Sequence, residues 1–254
     1  TYDEEGPQRR LLEFRGEDLL TSSLIGVNQK SPPVIYVLTG NIGNLPSARG
    51  PGGQPITAEN VLWDMAAKQD AHVRTLGLTG LAEIPSDAST LVSIRPGLDF
   101  TQREIEMLEA WWTTRKGAGL FLLLDPATDT PRLDSFLATY GVRPRPDRVL
   151  KVLTTAQGTR KELEVPAAFN PEATITAPLG GTAITFPEQS KTLRLEEDSR
   201  RLRAGALEVT PLAFARTDYW GESRPDDPTP RRDEADTGAP DPLILAASIE
   251  RGAQ

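Results

Sequence analysis

Gly40, Asn41 and Asn44 come directly after the apolar run Val34 to Leu38 and Thr39, and Asp125 comes directly after the run Leu120 to Leu124. In an open α/β sheet, ligands sit beyond the carboxyl ends of the strands, so these four residues mark where a polar ligand or partner would be held. Each also has a plain structural role. Gly40 lets the backbone turn through positive φ as it leaves a strand, and an aspartate ahead of Pro126 caps a turn, the preferred reading for Asp125. Neither Gly40-Asn41-Ile42-Gly43-Asn44 nor Gly50-Pro51-Gly52-Gly53 ends in Gly-Lys-Ser/Thr or spells G-x-G-x-x-G. Both therefore lack the phosphate-cradling pattern of a nucleotide loop.

Nucleophilic catalysis needs a base beside its nucleophile, and the chain has one histidine, His72, and no cysteine. His72 opens an apolar strand, where a packed histidine is the commoner case, and no G-x-S-x-G elbow accompanies it. A zinc or transition-metal site needs several imidazole or thiolate ligands that this sequence does not contain. Asp226, Asp227, Asp233, Glu234 and Asp236 supply oxygens but fit no calcium-loop spacing. Carboxylates are numerous enough to furnish a glycoside-cleaving pair, whose separation is a matter of tertiary structure. The expectation is a chain with no catalytic residue, no metal and no cofactor.

A formal charge of -8 opposes a polyphosphate partner unless the basic residues gather on one face. Arg143, Arg145 and Arg148 form one small cluster, read as solvated surface. Arg200, Arg201 and Arg203 form another, which Glu196, Glu197 and Asp198 offset. Nucleic acid is not expected as a partner. No run approaches the eighteen or so apolar residues of a membrane span, and Thr1 to Gly6 does not resemble a signal peptide. The chain also begins without Met, which suggests a segment whose membrane anchors lie outside it.

Short apolar runs alternate with helical patterns through the first half, predicting a three-layer α/β fold with a mostly parallel sheet flanked by helices. Val34 to Leu38, His72 to Leu76, Thr90 to Ile94 and Leu120 to Leu124 read as strands. Thr101 with Glu104 makes a capping box, Phe100 and Ile105 a hydrophobic staple. The helix they open carries Ile105, Leu108 and Trp112 on one face and stops near Gly117, with Trp111 and Trp112 divided between surface and core. Thr57 to Lys68 reads as a helix with Val61, Leu62 and Met65 inward. Pro131 to Tyr140 reads as another, with Leu133, Phe136, Leu137 and Tyr140 inward, and Leu19, Leu20, Leu24 and Val27 suggest a short helix before the first strand. Beyond Gly141, the runs Arg148 to Thr154, Thr182 to Phe186, Thr192 to Glu196, Leu207 to Phe214 and Leu243 to Ile249 predict extra strands that extend the sheet or cover an edge. Residues 223–242, with five prolines and nine charged residues, read as a mobile loop within a single domain spanning 1–254.

Seven segments, taken in order, carry a family resemblance. They are Phe14-Arg15-Gly16-Glu17-Asp18-Leu19-Leu20-Thr21-Ser22, Val34 through Gly40, Ile84-Pro85-Ser86-Asp87-Ala88, and Phe100-Thr101-Gln102-Arg103-Glu104. Gly117 through Pro126, Leu212 through Thr217 leading to Trp220-Gly221-Glu222, and Pro242 through Glu250 complete the set. The set resembles the extracytoplasmic domain of the gliding-motility-type ABC transporter auxiliary family, found beside ABC-2 type permeases. The resemblance implies a fold similar to the class I glutamine amidotransferase or flavodoxin-like group, in a domain anchored to the membrane by flanking segments. It implies an auxiliary or binding role on the periplasmic or extracytoplasmic face, with the permease, sibling membrane subunits and an envelope polymer as candidate partners. Relatives often carry His and Glu after the first strand's Thr-Gly, where this chain has Asn41 and Asn44. Two other functions compete: a hydrolase working through carboxylates such as Asp125, and a cytoplasmic small-ligand sensor using the Gly40 loop.

Overall fold

The computed structural model describes residues 2–3, 10–11, 32–40, 48–49, 55–56, 58–156, 158–186, 190–196 and 207–251. The helix expected around Leu19 to Val27, Asn41, Asn44, the glycines at 50–53 and the charged cluster at 197–203 lie outside the described residues. The chain divides into two compact units, Thr1–Leu124 and Asp125–Gln254.

In the first unit, β1 (Val34–Thr39), β2 (His72–Gly77), β3 (Ala88–Ile94) and β4 (Gly119–Leu123) form a parallel sheet in the order β2-β1-β3-β4. Parallel neighbours need long crossovers. Two of these contain helices, α1 (Ala58–Lys68) ahead of β2 and α2 (Gln102–Thr114) between β3 and β4. Val37, Val92 and Ile94 are buried on one face of the sheet, packed with Ile35, Val73 and Leu62 of α1.

The start of α2 agrees with the capping-box reading. Thr101 Oγ1 accepts from the Glu104 amide at 3.3 Å, and Glu104 Oε2 accepts from the Thr101 amide at 2.8 Å. Two expectations for the helical faces need correction. Trp111 and Trp112 are both buried, because Ile105, Leu108 and the two indoles make one broad apolar face. In α1 it is Leu62 and Ala66, four residues apart, that turn inward, while Val61, Trp63 and Met65 are exposed.

The second unit opens with α3 (Pro131–Thr139), which buries Leu133, Phe136 and Leu137. Gly141 comes next but one at φ +83°, a left-handed residue that ends the helical path. All later strands are antiparallel: β5 (Val142–Pro144), β6 (Arg148–Thr155), β7 (Gly158–Glu162), β8 (Val165–Phe169), β9 (Ala183–Phe186), β10 (Leu193–Leu195), β11 (Leu207–Ala215), β12 (Trp220–Glu222) and β13 (Ile244–Arg251). They form a curled six-stranded sheet in the order β9-β8-β11-β13-β10-β5 and a three-stranded sheet in the order β7-β6-β12. Val149, Val165, Ala215, Tyr219 and Leu243 make a core cluster in this unit.

The expected three-layer, mostly parallel α/β fold of amidotransferase or flavodoxin type is therefore wrong for this chain. Strand outweighs helix, and the parallel sheet stops at four strands. The later strands do not extend that sheet but build antiparallel sheets of their own. Short links dictate this outcome. Only two residues separate β6 from β7 and two separate β7 from β8, far too few for a parallel crossover.

Candidate functional site

Gly40 ends β1 at φ +100°, exposed, with open space where a side chain would start, so its conformation rather than crowding requires glycine. Asp125 begins the second unit and is buried. Its Oδ1 accepts from the Ala127 amide at 2.7 Å, closing the turn at Pro126. Gly40 and Asp125 thus belong to different units, and Asn41 and Asn44 fall outside the described residues. His72 is exposed on β2, an edge strand of the parallel sheet.

The buried acids are engaged by protein donors. Glu104 accepts from the Thr101 amide and hydroxyl at 2.8 and 3.0 Å and from the Thr79 hydroxyl at 3.2 Å. Glu222, fully buried, accepts from Trp220 Nε1 at 3.2 Å and from the Arg224 amide at 2.9 Å. Asp147 is the hub of the second unit. Its Oδ1 accepts from the Thr192 amide at 2.8 Å, and its Oδ2 from the hydroxyls of Thr192 and Thr237 at 2.6 and 2.8 Å. Gly221 backs onto this hub and exchanges both backbone hydrogen bonds with Thr237. A Cβ at Gly221 would overlap Thr237 Oγ1 and the Asp147 carboxyl.

Beside the hub lies a polar cleft of about 270 Å³, whose lining includes Arg145, Thr192, Glu234, Asp236, Thr237 and Asp241. Asp236 accepts from the amides of Ser223 at 2.8 Å and Asp233 at 2.9 Å. Burial works to raise its pKa, yet those donors and the nearby Arg224 hold it below the ordinary carboxylate value. The two remaining arginines of the cluster read as solvated surface diverge. Arg143 is exposed and pairs with Glu196 at 2.9 Å, whereas Arg148 is half-buried, and burial lowers its pKa against the attraction of Asp147, Asp125 and Asp226. The bridge between Val149 and Ser190 sets Lys191 beside Arg148. Burial likewise lowers the pKa of Lys191, opposed by Asp134, Asp125 and Asp129.

In the first unit, β4 is the terminal strand of the parallel sheet. Val92 and Ile94 of β3 have Phe121 and Leu123 of β4 as register partners, so all four share one face. Val92 and Ile94 are buried, but Phe121 and Leu123 are exposed, as is Leu98, four residues after Ile94. The core face of the sheet thus continues outward as an exposed apolar row on its terminal described strand. Among the described strands, β4 pairs only with β3.

Sequence reasoning assigned no role to Asp147, Thr192, Thr237 or the Phe121 edge. A partial signal existed, since Trp220-Gly221-Glu222 belongs to the motif set, and Gly221 and Glu222 are both buried, Gly221 with no room for a Cβ. Nothing in the apolar run Leu120 to Leu124 marks it as an edge strand, because edge and central parallel strands share the same composition.

No protein-family model matches this chain, and no curated protein does. Among solved structures, the chain is similar to one described as the mmIFT52 N-terminal domain, with 14% sequence identity, a TM-score of 0.48, and 71% of this chain and 72% of that chain covered.

Proposed function

We propose that this chain is a non-catalytic binding and assembly domain, held on the extracytoplasmic face of a membrane as the auxiliary part of an ABC-2 type transport system. The observation that carries the binding role is the exposed apolar edge of β4, where Phe121 and Leu123 extend a buried core row into solvent. Contiguous apolar surface on an open strand edge is a ready template for another polypeptide, which adds main-chain hydrogen bonds along the edge and fills pockets with alternate side chains. The permease or a sibling membrane subunit is the partner favoured by the seven ordered sequence segments. The carboxylate-hydrolase alternative draws less support, because Glu104, Asp147, Glu222 and Asp125 each accept hydrogen bonds that hold backbone turns or strands together.

The test uses the full-length gene product in its native membrane, with a photo-crosslinking residue at position 121. Adducts with a membrane subunit, abolished by Leu123→Ser, are expected. A membrane-embedded chain that gives no adduct with any transport subunit would refute the proposal. These 254 residues contain no cysteine, so with any cysteine elsewhere in the gene product replaced by serine, a single introduced thiol is a clean probe of sidedness. An Arg160→Cys variant should react with an impermeant maleimide added outside intact cells.

A further inference from the structure

Between β8 and β9 the chain makes a loop that is both apolar and exposed. Ile175 and Leu179 are 55% and 42% exposed, and Ile184 at the start of β9 is exposed as well. From Ala173 to Ile184 there is no charged side chain. In a chain that is 25% charged, about three would fall in twelve residues by composition.

This tip is built rather than loose. Asn170 Nδ2 donates to the Pro211 carbonyl at 2.7 Å, and the Asn170 carbonyl accepts from the Thr176 hydroxyl at 2.6 Å, fastening the loop to β11. Ala173 and Thr176 are its buried underside. Five of its amides are bonded within the loop: Thr176 and Ala177 donate to the Ala173 carbonyl at 3.0 and 2.7 Å, Leu179 to Thr176 at 2.9 Å, Gly180 to Ala177 at 3.1 Å and Thr182 to Leu179 at 2.9 Å. Pro178 has no N–H to satisfy.

We infer that the loop carrying Ile175 and Leu179 is a lipid-contacting tip that dips into the headgroup and acyl boundary of a bilayer. Lipid penalises unsatisfied backbone groups and buried charge, and this loop satisfies five of its amides internally and carries no charge. A protein partner would need an apolar pocket shaped to Ile175 and Leu179, whereas a bilayer accepts them without one. The formal charge of -8 directs the tip toward zwitterionic rather than anionic lipid. Two or three aliphatic side chains give only weak, reversible attachment. The tip would therefore orient a tethered domain rather than recruit a free one, and in this sense the inference rests on the proposed membrane-anchored role.

The test uses the whole 254-residue chain carrying Thr174→Cys labelled with an environment-sensitive dye, and phosphatidylcholine vesicles with or without nitroxide-bearing lipid. A blue shift and nitroxide quenching at position 174 are expected, with neither at a control Arg160→Cys label on the β6–β7 hairpin. Adding Ile175→Asp should lower the vesicle partition coefficient by roughly tenfold or more. A label at 174 that behaves like the control at saturating lipid overturns the inference. So does a response that appears only with detergent-solubilised transport subunits, which would assign the tip to a protein. The vesicle assay contains no permease, so failure of the Phe121 crosslink would remove the transport role and leave lipid contact standing.

Discussion

Val92 and Phe121 are register partners on neighbouring parallel strands, yet Val92 is 3% exposed and Phe121 52%. One residue completes a core and the other, on the same face, meets solvent. Their substitutions should therefore separate stability from binding. Val92→Ala should lower unfolding free energy by about 2 kcal/mol, read from urea denaturation, while Phe121→Ser should change it by less than about 1 kcal/mol and abolish partner capture. Equal destabilisation by both would mean that Phe121 is a core residue and not part of a docking edge.

Gly221 lies against Thr237 and Asp147 with no room for a methyl group. Because those two side chains are locked together by the 2.8 Å bond between them, admitting a Cβ must break it. Gly221→Ala is expected to cost about 2 kcal/mol or more. A urea midpoint unchanged from the parent chain would show that the hub can relax around the added carbon.

Asp236 supplies a pH-dependent contribution. Burial opposes its charge, but the amides of Ser223 and Asp233 together with Arg224 hold its folded pKa below the ordinary value. Since the unfolded value is about 3.9, the stabilisation is fully present above that pH and is lost as the pH falls through the lower folded value. The stability gap between the parent chain and Asp236→Asn should be constant from pH 7 to pH 5 and shrink below about pH 4. A gap that widens on acidification would reverse the sign of this argument.

Lys191 behaves in the opposite sense. Burial lowers its pKa more than Asp134, Asp125 and Asp129 raise it, and Arg148 adds repulsion. A cation whose folded pKa is depressed is penalised at every pH below that value, and the penalty is relieved as the pH rises toward the unfolded value of about 10.4. Lys191→Met should leave stability at pH 7 unchanged or slightly raised, by no more than about 1 kcal/mol once solvent screening of its exposed part is counted. A loss of about 2 kcal/mol or more in thermal or urea unfolding would show that the three aspartates depend on the lysine.

The strands β1 to β4, the capping box at Thr101 and the helix ended by Gly141 were legible in the sequence because each is specified by its neighbours: apolar runs, an N-cap with its partner three residues on, a glycine at positive φ. Strand pairing was not. Arg148 to Thr155 and Leu207 to Ala215 are recognisable as strands, but nothing in either says that they join separate antiparallel sheets rather than the parallel one. Partner choice rests on contacts between residues far apart in sequence and on the length of the links. The same holds for the site. Asp147, Thr192, Thr237 and Gly221 are spread over ninety residues and meet only when β12 pairs with β6 and Ser190, ahead of β10, bridges to Val149 of β6. Phe121 becomes surface only because no described strand lies beyond β4 in its sheet. Composition and spacing determined which segments are apolar and which helices begin where; tertiary pairing decided which apolar side chains are covered, because burial belongs to the assembled sheet and not to the residue.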